Sequence, residues 1–180
     1  TAHAILSASG SKRWLSCTPS ARLEATLPEP KKSAGSFDHS AEGTLAHSLA
    51  EVKLRLQLNQ IGHEEYQREI QIIETSPYYN EELEAYVDNY VVYVRSQIGE
   101  ADKALFEQRV DFSDWVSEGF GTSDAIVIDH DTMHVVDLKY GKGVAVYAEN
   151  NSQAMLYALG AVADFGYVYN IRHVKMAIVQ

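Results

Sequence analysis

The chain of 180 residues has one cysteine, Cys17, and only four prolines. One thiol cannot close an internal disulfide, so the core alone must hold the fold, as in a reducing cytoplasm. No apolar run approaches the ~20 residues of a membrane span. No basic start followed by an apolar stretch marks a secretion signal. Positive charge is scarce too: 15 Lys and Arg stand against 25 Asp and Glu, a net charge of −10. That balance speaks against a protein that coats nucleic acid through bulk charge. It leaves room for a local basic groove, or for an acidic site neutralised by metal ions. What is present is an apolar fraction of 46%, ordinary for a globular chain whose length suits one domain. The chain starts at Thr1, and Arg172 to Gln180 reads as a strand, so the expectation is a piece of a longer protein, cut at its C-terminus.

The pattern divides into an N-terminal segment (1–36), a helical region (38–100) and a sheet-plus-helix core (104–180). Ser9 to Leu15 predicts a short helix, and Pro19, Pro28 and Pro30 punctuate the rest of the N-terminal segment. A helix capped by Asp38 or Ser40 runs to about Gln60, with Leu45, Leu49, Val52 and Leu56 as its apolar stripe. Ile61 to Thr75 and Asn80 to Gln97 predict two more, the second facing inward with Leu83, Val87, Tyr90, Val91 and Val94. Ala104 to Val110 reads as a strand, and Phe120 to Ile128 with Met133 to Leu138 as a hairpin turning at Asp129, His130 and Asp131. Asn150, Asn151 and Ser152 can cap a nearly all-apolar, hence buried, helix to about Phe165, and Val174 to Val179 predicts a last strand.

The hairpin carries charge where strands are usually apolar. With its turn centred between His130 and Asp131, Asp124 and Asp137 stand directly opposite each other, with Cβ atoms roughly 4.5–5.5 Å apart. Like charges so placed are destabilising. Lys139, two residues after Asp137, points to the same face. A hard divalent cation, Mg²⁺ or Mn²⁺, resolves the conflict, with the backbone carbonyl of Leu138 as a third ligand. Two carboxylates, a metal and a positioned ammonium form a kit for phosphodiester hydrolysis. His130 and His134 read as turn and strand residues, and Lys142 as a loop residue or a phosphate contact.

Four short motifs extend this reading in chain order: Gly43-Thr44-Leu45-Ala46-His47, Gly121-Thr122-Ser123-Asp124, Asp137-Leu138-Lys139 and Gln153-Ala154-Met155-Leu156-Tyr157. Together they resemble the RecB-like branch of the PD-(D/E)xK nucleases, and the S-A-S-G, A-E-G-T-x-A-H and D-L-K-Y-G-K-G stretches are similar to a phage-associated, uncharacterised group within it. The resemblance implies a restriction-endonuclease-like α/β core, a mixed central sheet flanked by helices, with added helices before the sheet. It implies His47, Asp124 and Asp137 as ligands of Mg²⁺ or Mn²⁺. Lys139 would orient and help deprotonate water, or stabilise developing charge. Gln153 and Tyr157 would orient Lys139 or touch the DNA backbone, unless they are core-rim residues. Glu42 and Glu51 flank His47, and Glu51 can sit in the outer shell of the site.

The implied activity is DNA hydrolysis, exonucleolytic, in phage or mobile-element recombination, with DNA and a phage recombination protein as partners and the cytoplasm as setting. The alternative from another class is a non-catalytic DNA- or protein-binding module that keeps the fold. Cys17, in R-W-L-S-C, resembles the first ligand of the iron–sulfur cluster of some RecB-like nucleases. Three further cysteines would have to lie beyond Gln180, and within this chain Cys17 reads as a buried free thiol.

Overall fold

A computed structural model describes residues 4–27, 38–99, 103–141, 143 and 145–180. Lys142, Pro28 and Pro30 lie outside the described residues. The elements are α1 (Ser11–Ser16), α2 (Ser20–Thr26), α3 (His39–Gln57), α4 (His63–Glu74), α5 (Glu81–Ser96), β1 (Lys103–Asp111), β2 (Phe120–Asp129), β3 (Thr132–Leu138), α6 (Ser152–Tyr169) and β4 (His173–Val179). The strands form one sheet in the order β1-β2-β3-β4. β1–β2 and β2–β3 pair antiparallel, and β4 returns parallel to β3 after α6. This is the expected mixed sheet flanked by helices, with helices preceding it.

Local chemistry accounts for the helix starts. The Asp38 carboxylate accepts the N–H groups of Ser40 and Ala41 at the head of α3. Asn80 caps α5 by accepting from Leu83, and Asn151 caps α6 by accepting from Ala154. These side chains replace partners that the first turn of a helix lacks. α5 buries the expected stripe Leu83, Val87, Tyr90, Val91 and Val94. α3 buries a wider set than its predicted stripe: Ala46, Leu49, Ala50, Val52 and Leu54, with Leu45 and Leu56 only partly covered. The reason is that α3 contacts α4, α5 and β1 together, so more than one of its faces is enclosed.

Both faces of the sheet are covered. Ala125, Val127, Val136 and Leu138 pack with α3 and α5, while Ile126, Ile128, Met133 and Val135 pack with α6 and Trp14. Strands buried on both faces read as continuous apolar runs rather than as alternation, which makes the charges at their ends conspicuous. α6 lies close on β1: a Cβ at Gly160 would stand 3.0 Å from Val110 Cβ.

α2, where the sequence pattern assigned no element, follows Pro19; proline fits the entry to a helix, where its missing N–H is not needed. Two expectations need correction. α6 extends to Tyr169 and is buried mainly in its first half, whereas Tyr167 is 97% exposed. Its apolar composition could not reveal that its last turn stays exposed. Cys17 is exposed, not buried. It follows the last turn of α1, whose buried residues are Ser11 and Trp14.

Candidate metal and catalytic site

The site lies at one end of the sheet, where β1, β2 and β3 meet α3 on one side and α6 on the other. The hairpin register is the expected one: Ala125 pairs with Val136 and Asp129 with Thr132 across the His130–Asp131 turn. His130 adopts φ 53° in that turn, and His134 lies buried in β3, so both are turn and strand residues as expected. The paired ladder stops at Ala125 and Val136, one step before the two aspartates. Beyond it their side chains part. Asp124 Oδ2 accepts the Leu138 N–H at 2.6 Å, standing in for the next rung of the ladder. Its Oδ1 lies 3.2 Å from His47 Nδ1 on α3.

Asp137 turns toward α6. Its Oδ1 accepts from Lys139 Nζ at 3.1 Å and from Gln153 Nε2 at 3.3 Å. Its Oδ2 is buried and accepts no hydrogen bond among the described residues, although Lys139 Nζ stands 2.8 Å away. Lys139 Nζ also donates to Gln153 Oε1 at 3.2 Å, and Gln153 Nε2 donates to the Tyr157 hydroxyl at 3.2 Å. Gln153 therefore ties the lysine, the aspartate and the tyrosine into one network. Leu138 enters the site through its amide.

Sequence reasoning missed Glu107. It sits on β1 between Phe106, which pairs with Ala125, and Gln108, which pairs with Ser123, and so lies level with Asp124 on β2. Its φ is 45°, a conformation uncommon for a residue with a side chain. Its Oε1 lies 3.5 Å from His47 Nδ1. One ligand atom each from His47, Glu107 and Asp124 lie within 4.8 Å of one another.

The electrostatics follow from this crowding. Burial alone would lower the His47 pKa, but hydrogen bonds and attraction from Asp124 and Glu107 outweigh it and raise it to about 10. The imidazolium supplies the positive charge that these carboxylates need, and His47 would have to give up a proton to ligate a cation instead. Burial, then repulsion from Asp124, pushes Asp137 up to about 6 against the pull of Lys139. Burial likewise lifts Tyr157 to about 12. Beneath the site, the Tyr90 hydroxyl donates to the Val136 carbonyl at 3.4 Å, and burial holds its proton well above the usual range.

The outer residues divide. Glu51 lies 3.7 Å from Arg55, with burial, and further repulsion from Glu107, raising its pKa. Glu42 faces His39 at 3.6 Å and lines a neighbouring cleft with Tyr86 and Tyr140.

Gly121 has a steric role. A Cβ there would come within 2.7 Å of Tyr157 Cε1. Gly121→Ala should displace the ring and cost about 1–3 kcal/mol, measured by urea unfolding. Adding Tyr157→Ala should recover part of the loss. Additive losses in the double variant would rule out the ring as the cause.

No solved structure matches the chain. Residues 3–180 match a family described as Protein of unknown function (DUF2800), and a match over nearly the whole length places the chain in that family.

Proposed function

We propose that this protein hydrolyses DNA phosphodiester bonds with Mg²⁺ or Mn²⁺, as an exonuclease of the RecB-like PD-(D/E)xK kind working in phage or mobile-element recombination. The observation that carries the reading is the juxtaposition of a His47–Glu107–Asp124 donor set with a lysine fixed by Asp137 and Gln153. One imidazole and carboxylate oxygens suit a divalent first-row cation, and the imidazole favours Mn²⁺ over Mg²⁺. Asp137 is not one of those three, and its buried Oδ2 faces the Lys139 ammonium at 2.8 Å, so it would serve as a further ligand only as the lysine shifts away from it. His47, Glu107 and Asp124, joined then by Asp137, would hold the ion. When bound, it would supply an activated water and neutralise charge at phosphorus.

The chain's own residues do the rest. In hydrolysis a water oxygen bonds to phosphorus, one P–O ester bond breaks, and the leaving oxygen takes up a proton. Lys139 Nζ, held by Asp137 and Gln153, orients the water and offsets the negative charge that develops. Gln153 and Tyr157 keep Nζ from wandering, because each is anchored in the first turns of α6.

The test is an assay on single- and double-stranded DNA with Mg²⁺, with Mn²⁺ and with chelator. Cleavage is expected only with metal, with Mn²⁺ effective at lower concentration. Binding without cleavage in either metal would replace this reading with the non-catalytic module.

A further inference from the structure

A cleft of 460 Å³ opens between the N-terminal segment and the start of α6. Ser9, Ser11 and Lys12 line one wall, and Lys139, Tyr147 and Ser152 contribute to the other. Its floor is fixed: the buried Ser11 hydroxyl lies 2.6 Å from the Ser152 hydroxyl, joining α1 to α6. Lys139 and Gln153 belong to both the cleft and the catalytic network, so whatever fills the cleft abuts that network. Lys12 is exposed, and Tyr147 presents 76% of its surface to solvent.

The ammonium groups of Lys12 and Lys139 and the Ser9 hydroxyl line one cleft, and such donors suit an anion of several oxygens. An open aromatic ring beside them suits a flat base. That pairing of a cationic track with a stacking ring is how single strands are gripped without regard to sequence. The cleft continues past Lys139 into a 220 Å³ space lined by His39 and Tyr140, and then into one of 340 Å³ where Glu42, Glu82, Tyr86 and Tyr140 gather. The acidic far end repels phosphate, and Glu149 does so at its own part of the cleft wall. The phosphate therefore belongs between Lys12 and Lys139.

We infer that this cleft seats one nucleotide of a single strand next to the bond to be cut, its phosphate between Lys12 and Lys139 and its base on Tyr147. The inference rests on the hydrolytic reading for what lies beside the cleft, yet binding tests it alone. The probe is a fluorescein-labelled single-stranded deoxyoligonucleotide, titrated by anisotropy with chelator present so that nothing is cut. Tyr147→Ala should raise Kd about tenfold, within the range for one stacked base. Lys12→Ala should raise Kd and flatten the slope of log K against log salt by about 0.7, the value for one lost phosphate contact on a single strand. Lys175→Ala, the same charge change on β4, should alter neither. Lys12 and Tyr147 are exposed, so their variants should fold; circular dichroism checks this. Parent-like binding by both variants overturns the cleft assignment, even where the protein cleaves DNA. Weakened binding by both, in a protein that cleaves in neither metal, upholds the cleft and sinks the hydrolytic reading instead.

Discussion

Lys139→Ala should lower the rate of DNA hydrolysis by about 10²–10⁴-fold, the span usual for one positioned proton-handling group. Lys139→Arg should not restore it, because a planar guanidinium cannot replace a compact ammonium wedged between Asp137 and Gln153. The fold should survive, but not equally at all pH values. Without Lys139, the buried Asp137 keeps only the Gln153 Nε2 donor at 3.3 Å. A carboxyl whose folded pKa is raised burdens the folded state once it ionises. In the parent, burial and Asp124 place that change near pH 6, and without the lysine's pull it moves higher. Lys139→Ala should therefore melt close to the parent at pH 5 and below it at pH 8. Single-turnover rates at saturating metal, with melts at both pH values, provide the check. An unchanged rate would remove Lys139 from the chemistry.

Much of this arrangement could be read from the chain because two local rules fix it. A tight turn at His130–Asp131 sets the hairpin register, and that register, carried one step past its last pair, puts Asp124 and Asp137 level. The 3.6-residue period likewise puts Gln153 and Tyr157 on one face of α6, where they bond. Glu107 escaped because no such rule reaches it. Residues 112–119 connect β1 to β2, a link too long to set a register by turn type, so nothing local showed that Glu107 lies level with Asp124. Its φ of 45° also breaks the alternation by which strand residues are assigned to faces. The parting of the two aspartates was hidden for a similar reason. Register predicts opposition along a ladder, but here the ladder ends one step early, and the Asp124 side chain takes the place of backbone. Tertiary partners on α3 and α6, not strand geometry, then decide where each carboxylate turns.

Asp124→Asn should cut hydrolysis by about 10³-fold or more, since a bound cation supplies several kcal/mol to the reaction and each 1.36 kcal/mol is tenfold. Asparagine can still accept the Leu138 N–H through Oδ1, so the metal-free fold should hold. Asp124→Ala leaves that amide unpaired and should lose about 1–3 kcal/mol of stability besides. The contrast separates the residue's structural hydrogen bond from its charge. Melting with metal reads the charge directly. For the parent, about 10 mM metal and a Kd of about 1 mM give roughly 1.4 kcal/mol of stabilisation. At this chain length that is a rise of about 2–4 °C or slightly more. Asp124→Asn and Glu107→Gln should each lose most of the rise, because each removes a carboxylate from the donor set. Asp137→Asn should lose it as well, yet melt no lower than the parent without metal above pH 6, because it removes a buried charge repelled by Asp124. The measurement is a set of melts at fixed ionic strength with Mg²⁺, with Mn²⁺ and with chelator. If Asp124→Asn keeps the full metal-induced rise, the ion binds elsewhere, and the hydrolytic reading loses the site on which it depends.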